Sequence, residues 1–179
     1  MRKTIIVLLM CLVPVLCLAD SFEELKGRAE KGDAYAQYQL GVCYANGDGV
    51  TKDMQEAVKW YTISAKLGQV EAQINLAGCY HYGEGVDKNL QEAVRWYRKA
   101  ADQGYAYAQY NLGLLYQNGE GVVKDLIYAY MWLDLASERA EIMTLRIIAL
   151  EQKDMISSDM TLSQIEKAKK LAKEWSPKK

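Results

Sequence analysis

Three stretches of this chain are near-copies of one another. AQYQLGVCYANGDGV runs from Ala36 to Val50, AQINLAGCYHYGEGV from Ala72 to Val86 and AQYNLGLLYQNGEGV from Ala108 to Val122, a spacing of 36 residues both times. A fixed period of about 20 to 50 residues, each with its own apolar pattern and turn, marks a solenoid in which neighbouring units bury each other's faces.

Within a unit the spacing predicts two helices. Ala36, Leu40 and Tyr44 recur every fourth residue, as do Ala72, Leu76, Tyr80 and Ala108, Leu112, Tyr116, which is one apolar stripe of a helix. Beside each leucine stands a small residue, Gly41, Ala77 or Gly113. Glycine inside a helix costs about 1 kcal/mol relative to alanine, so a partner helix is expected to approach closely there. The first helix should stop at Asn46-Gly47-Asp48-Gly49, Tyr82-Gly83-Glu84-Gly85 and Asn118-Gly119-Glu120-Gly121, because a glycine just past a helix adopts the left-handed conformation that ends it. This Gly-x-Gly is not a phosphate loop, since the dinucleotide fingerprint needs a preceding strand and a third glycine.

The second helix starts at Asp53, Asn89 or Asp125, with Glu56 and Glu92 three residues after the first two, a capping-box pattern. Trp60, Trp96 and Trp132 keep the same period. Such an aromatic ladder could form a carbohydrate platform, but at helical spacing it reads as core.

The flanks complete the array. Leu25, Ala29 and Gly32 fall in register with Tyr61, Ala65 and Gly68, so 20–32 reads as an N-terminal half-repeat, followed by units at about 33–68, 69–104 and 105–140. From 141 to 179 the pattern degenerates into capping helices and a tail: Leu145, Ile148 and Ala149 keep an apolar face, a loop is expected from Asp154 to Met160, and Thr161 with Gln164 caps a last amphipathic helix. End units of a stack are atypical because one face meets water.

Arg2 and Lys3 precede an apolar run, residues 4–18, that closes on Cys17-Leu18-Ala19. This predicts a signal peptide, 1–19, cleaved after Ala19, and a periplasmic or secreted chain without a stable membrane span. Cleavage leaves Cys43 and Cys79 at equivalent positions of successive units. Equivalent positions in stacked helices lie about 8–10 Å apart, beyond the roughly 7 Å that a disulfide tolerates between Cα atoms, so two buried thiols and no disulfide are expected. A net charge of −1 with 25% charged residues carries no nucleic-acid footprint.

The pattern A-x-x-x-L-G-x-x-Y-x-x-G-x-G-V, then D-x-x-x-A-x-x-W-Y, closing on A-A-x-x-G, resembles the Sel-1-like repeat family, a relative of the tetratricopeptide repeats. The resemblance covers about 29–137 in three near-complete copies, and the ending from Met160 to Trp175 is similar to the closing segment of small bacterial members. It implies an all-α, right-handed solenoid of antiparallel helix pairs that serves as an adaptor for proteins. Some cysteine-rich relatives have been described as β-lactamase or penicillin-binding proteins. They carry a cysteine pair in every repeat, whereas this chain has one cysteine in each of two repeats, so that activity is the alternative rather than the expectation.

Catalysis needs a nucleophile, a base and an orienting group within reach, or a metal held by several ligands. The chain has one histidine, His81, and no HExxH, CxxC or G-x-S-x-G, so no enzyme, metal or cofactor is expected. What remains is a surface. By the resemblance, the first-helix side opposite the leucine stripe lines a concave groove, which predicts protein-binding residues Tyr35, Tyr38 and Gln39; Glu71, Asn75, His81 and Tyr82; and Tyr107, Tyr110, Asn111 and Asn118. Tyrosines and amides make adaptable protein contacts. A groove of three units suits an extended segment or a single helix.

Overall fold

In the computed structural model, residues 21–178 are described, and among them the chain forms nine α-helices and no strand. These are α1 (Phe22–Glu30), α2 (Ala34–Asn46), α3 (Met54–Lys66), α4 (Val70–Tyr82), α5 (Leu90–Asp102), α6 (Ala106–Asn118), α7 (Leu126–Arg139), α8 (Met143–Ser157) and α9 (Leu162–Glu174). The expected signal peptide, 1–19, lies outside the described residues. Each helix from α1 to α7 packs on the next, and α9 returns to pack on α7. This is the α-solenoid of helix pairs that the repeat demands.

Short polar side chains set where the second helices begin. Asp53 accepts from the amides of Gln55 and Glu56 at 2.9 and 3.1 Å, Asn89 from Glu92 at 3.1 Å, and Asp125 from Ile127 and Tyr128 at 2.9 and 3.2 Å. The reciprocal half of the expected capping box is not made in these units. Glu56 pairs with Lys59 and Glu92 with Arg95 at 3.3 Å, because a cation one turn on along the helix competes for the carboxylate. Complete boxes form at Ser21–Glu24 and Thr161–Gln164.

The two glycines of each turn have different jobs. Gly47, Gly83 and Gly119 end the first helices with φ of 86°, 78° and 73°, the left-handed cap that a side chain would strain. The second glycine also has positive φ, but its neighbour matters more: a β-carbon on Gly85 would lie 2.2 Å from the Met54 carbonyl oxygen. Each turn is thus wedged against the first residue of the preceding unit's second helix. Inside the pairs, a β-carbon on Gly41 would lie 2.6 Å from the Tyr61 ring and one on Gly113 2.8 Å from Leu133 Cγ, which accounts for the small residue beside each leucine.

Leu40, Leu76 and Leu112 are fully buried, and Trp96 and Trp132 join them in the core. Trp60, at the N-terminal end of the stack, is half-buried. A second ladder ties units together: Gln37, Gln73 and Gln109 donate to the carbonyls of Ala29, Ala65 and Ala101 at 3.1, 3.2 and 3.3 Å. Those carbonyls belong to the last turn of the preceding helix, where each also accepts from the amide of the glycine beyond it, Gly32, Gly68 or Gly104.

The C-terminal cap departs from expectation in two ways. The loop expected from Asp154 is helical to Ser157, because Ile156 is buried and anchors a last turn; the loop is correspondingly shorter. The tail folds back, with Lys178 donating from its amide to the Asp102 carbonyl and from Nζ to the Asp102 carboxylate, both at 2.7 Å. Trp175 and Pro177 lie against Gly104, and Arg139 sits 4.5 Å over the Trp175 ring.

Candidate functional site

The first helices are set by their stripes: once Leu40, Leu76 and Leu112 face inward, the tyrosines one and a half turns away must lie on another side. Charge interactions show which side chains meet there. Burial and then the charge of Glu71 push the Tyr38 hydroxyl up to about 12. Burial, then Glu71 and Glu141, raise Tyr105; burial, then Glu84 and Glu120, raise Tyr82; burial, then Tyr107, Glu151 and Tyr82, raise Tyr110. Glu71 of α4 thus acts on Tyr38 of α2 and on Tyr105 ahead of α6, and Glu151 of α8 acts on Tyr110 of α6.

The eleven predicted residues divide by exposure. Tyr35 and Tyr82 are 45% and 44% exposed, and Asn118 is exposed at the end of α6, where its amide donates to Glu120 at 3.3 Å. Gln39, Glu71, Asn75, His81 and Tyr107 are half-buried. Tyr38, Tyr110 and Asn111 are only 9%, 5% and 4% exposed, so the premise that this face carries aromatics and amides without a packing need fails for these three. Asn111 donates to the Tyr107 carbonyl one turn back at 2.8 Å, and Tyr38 packs 6.2 Å from the Tyr61 ring. A tyrosine is long enough to cross from the exposed side into the helix interface, which is why spacing alone misplaced them.

The structure adds residues that the repeat pattern did not single out. Tyr105, 42% exposed, precedes α6 as its N-cap, and Glu84, Glu120, Glu141 and Glu151 come from turns and from the degenerate unit. For Glu84 and Glu120 the signal was the identity of the x in Gly-x-Gly, which reads as turn chemistry and nothing more; Tyr105, Glu141 and Glu151 carried none.

His81 stands in the last turn of α4. Its ring stacks on Tyr82 with centroids 4.6 Å apart and planes 12° apart, and meets Tyr97 edge-on at 6.4 Å. Nε2 is 3.8 Å from Glu120, too far for a hydrogen bond, and Nδ1 is buried without a partner. Burial holds the imidazole below its ordinary range, against the pull of Glu120 and with a smaller push from Lys88. The ring is neutral at pH 7. Among the described residues no group of three or more His, Cys, Asp or Glu could hold a metal ion. Cys79 is buried as a thiol, and Cys43 is buried.

Stacked helix pairs define a repeat scaffold of the α-solenoid class. The family model for the Sel1 repeat matches residues 34–69, 70–105 and 106–140, and the chain belongs to the Sel1 repeat family. Among solved structures, a Sel1 repeat protein from Oxalobacter formigenes is 35% identical with a TM-score of 0.65, over 72% of this chain and 96% of that one. The Escherichia coli protein c5321, described as a protective antigen with an SLR fold, is 33% identical with a TM-score of 0.77, over 86% of this chain but 32% of that one. A curated Escherichia coli relative, the secretory immunoglobulin A-binding protein EsiB, is 44% identical over 41 residues, 23% of this chain and 8% of that protein. The matched part is thus a small fraction of these longer relatives. Helicobacter pylori cysteine rich protein B, at 20% identity and a TM-score of 0.56, shares the fold alone.

Proposed function

We propose that this chain is a non-enzymatic scaffold that binds a polypeptide partner across its first-helix face, in the periplasm or outside the cell. The observation that carries the reading is the set of half-exposed tyrosine rings, Tyr35, Tyr82 and Tyr105, in or just before the first helices. Large amphipathic rings with few rotatable bonds give much contact area for little lost freedom. The name of EsiB, a binder of a protein, supports the class of ligand. The basic start, apolar run and Ala19 of the sequence support export, and no helix among the described residues is long and apolar enough to cross a membrane. With only three regular units the interface is small, so an affinity of about micromolar order is expected after the cost of association.

The test is affinity capture from envelope and medium fractions with the wild type and a Tyr35→Ala/Tyr82→Ala variant that keeps its helical circular dichroism. Both sites are half-exposed, so folding survives. A partner held by the wild type and lost by the variant is the expected result; equal capture by both would remove this face from consideration. Intact mass of exported protein starting at Asp20 checks the export reading, and retention of 1–19 would overturn it.

A further inference from the structure

The chain is nearly neutral, with 22 Lys and Arg against 23 Asp and Glu, yet its cations avoid the first helices. α2, α4 and α6 are 13 residues each and contain no lysine or arginine. Lys59, Lys66, Arg95, Arg98, Lys99 and Arg139 all stand on the second helices α3, α5 and α7. In α8, Lys153 is held by Asp134 at 2.8 Å and Arg146 donates to the Ala140 carbonyl at 2.8 Å, so neither cation is spent on the tyrosine face.

The acids of the second helices mostly have cation partners, Asp102 with Lys178 and Asp134 with Lys153 at 2.7 and 2.8 Å. On the second helices, Glu56 and Glu92 are paired with Lys59 and Arg95. The carboxylates that act on the exposed Tyr82 and Tyr105 differ: among the described residues, no lysine or arginine pairs with Glu71, Glu84 or Glu120. The nearby imidazole of His81 supplies no compensating charge, being packed under Tyr82 with its Nδ1 buried. Two cations stand in the turns beside these acids: Lys88, whose charge reaches His81, and Lys124, whose β-carbon lies against Gly119.

We propose that the partner segment received by this face is basic, its lysine or arginine side chains placed over the rings of Tyr82 and Tyr105 and against the carboxylates of Glu71, Glu84 and Glu120. The inference rests on the reading of this face as a polypeptide-binding surface. Tyrosine faces attract cations through the ring quadrupole, and a carboxylate beside the ring adds a charge-assisted hydrogen bond. An acidic segment would meet unpaired carboxylates and be repelled, so the same arrangement selects by exclusion as well as attraction. A neutral segment would leave those carboxylates unmatched.

The experiment is fluorescence anisotropy of the full chain with three labelled, unstructured 12-residue peptides of equal length, one of alternating Arg/Lys and Ser/Gly, one with Glu/Asp in place of the cations and one neutral. The probes are compared on wild type, on Tyr82→Ala, on Glu84→Gln/Glu120→Gln, and on Glu56→Gln/Glu92→Gln as a charge-matched control on the second helices. The basic peptide should bind best and weaken with salt. Removing the two turn carboxylates should lower its affinity about five- to tenfold, the scale of two partly exposed charge pairs, while the control stays within about twofold. If the neutral or acidic peptide binds as well and is lost in Tyr82→Ala, the face binds polypeptides but not by charge, and this inference falls alone. If the control lowers basic-peptide binding as much, the attraction is to net charge, and the inference also falls. If no peptide's binding responds to Tyr82→Ala, both this inference and the reading beneath it fall.

Discussion

Gly121 is pressed against Leu90. A β-carbon on Gly121 would lie 2.3 Å from the Leu90 carbonyl oxygen, and its φ is +69°. Gly68 has an equally left-handed φ of +96° but nothing within 4 Å of its β position, so the pair separates backbone strain from packing. Gly68→Ala should cost about 1–2 kcal/mol, the penalty of a left-handed alanine. Gly121→Ala should cost at least about 1 kcal/mol more, because a backbone oxygen cannot move aside as a flexible side chain can. Urea denaturation of both variants measures the difference. Equal costs would mean that the turn is not wedged on the preceding unit.

Trp96 stands in the middle of the stack, 5% exposed, with Lys99 Nζ 4.2 Å from the ring centroid. Trp96→Ala should destabilise by about 3–5 kcal/mol as a large-to-small core change. Trp60, half-buried at the N-terminal end, should lose clearly less on the same substitution. A Trp96 cost below about 0.5 kcal/mol, the range of surface substitutions, would return the tryptophan ladder to the surface and revive the carbohydrate-platform reading.

The contrast between these tryptophans shows what the repeat made legible. The stripe through Leu40, Leu76 and Leu112, the glycine caps and the N-caps at Asp53, Asn89 and Asp125 are local features, and local features repeat with the sequence. What the repeat could not carry is which neighbour each side chain meets. Glu56 and Glu92 turned to cations a turn away, and Gln37, Gln73 and Gln109 reach back across a unit boundary to carbonyls eight residues earlier. The face was harder still. Tyr38 and Tyr110 have the same spacing as exposed residues, yet pack inward, while Glu120 and Glu151 matter only once helices from different units are brought side by side.

Cys79 is buried, and its thiol is pushed up to about 12, first by burial and then by the charge of Glu84. The thiolate is the reactive form, so alkylation at pH 8 should be negligible in the folded protein and should appear with unfolding. Mass spectrometry after iodoacetamide, with and without urea, follows the modification of this residue. Rapid labelling of Cys79 in native buffer would contradict its placement in the α4–α5 interface.

His81 gives the fold a pH dependence with a definite sign. Its imidazole stacks on Tyr82, meets Tyr97 edge-on and has Nδ1 buried without a partner. Two charges face it with opposite effect, Glu120 favouring the proton and Lys88 opposing it, and burial outweighs the Glu120 attraction, so the folded-state value lies below the ordinary 6.5. At 3.8 Å the Glu120 carboxylate is too distant to form the hydrogen bond that would reverse this. Between 6.5 and the lower folded value, the unfolded chain binds the proton and the folded chain does not. Stability contributed by the neutral ring is therefore fully present above 6.5 and is lost as the pH falls through that window. Denaturation midpoints of the wild type should drop between pH 7 and pH 5.5 more steeply than those of His81→Gln, which has no proton to bind. Parallel curves for the two proteins would show that the imidazole is solvated in the folded state and that Tyr82 does not cover it.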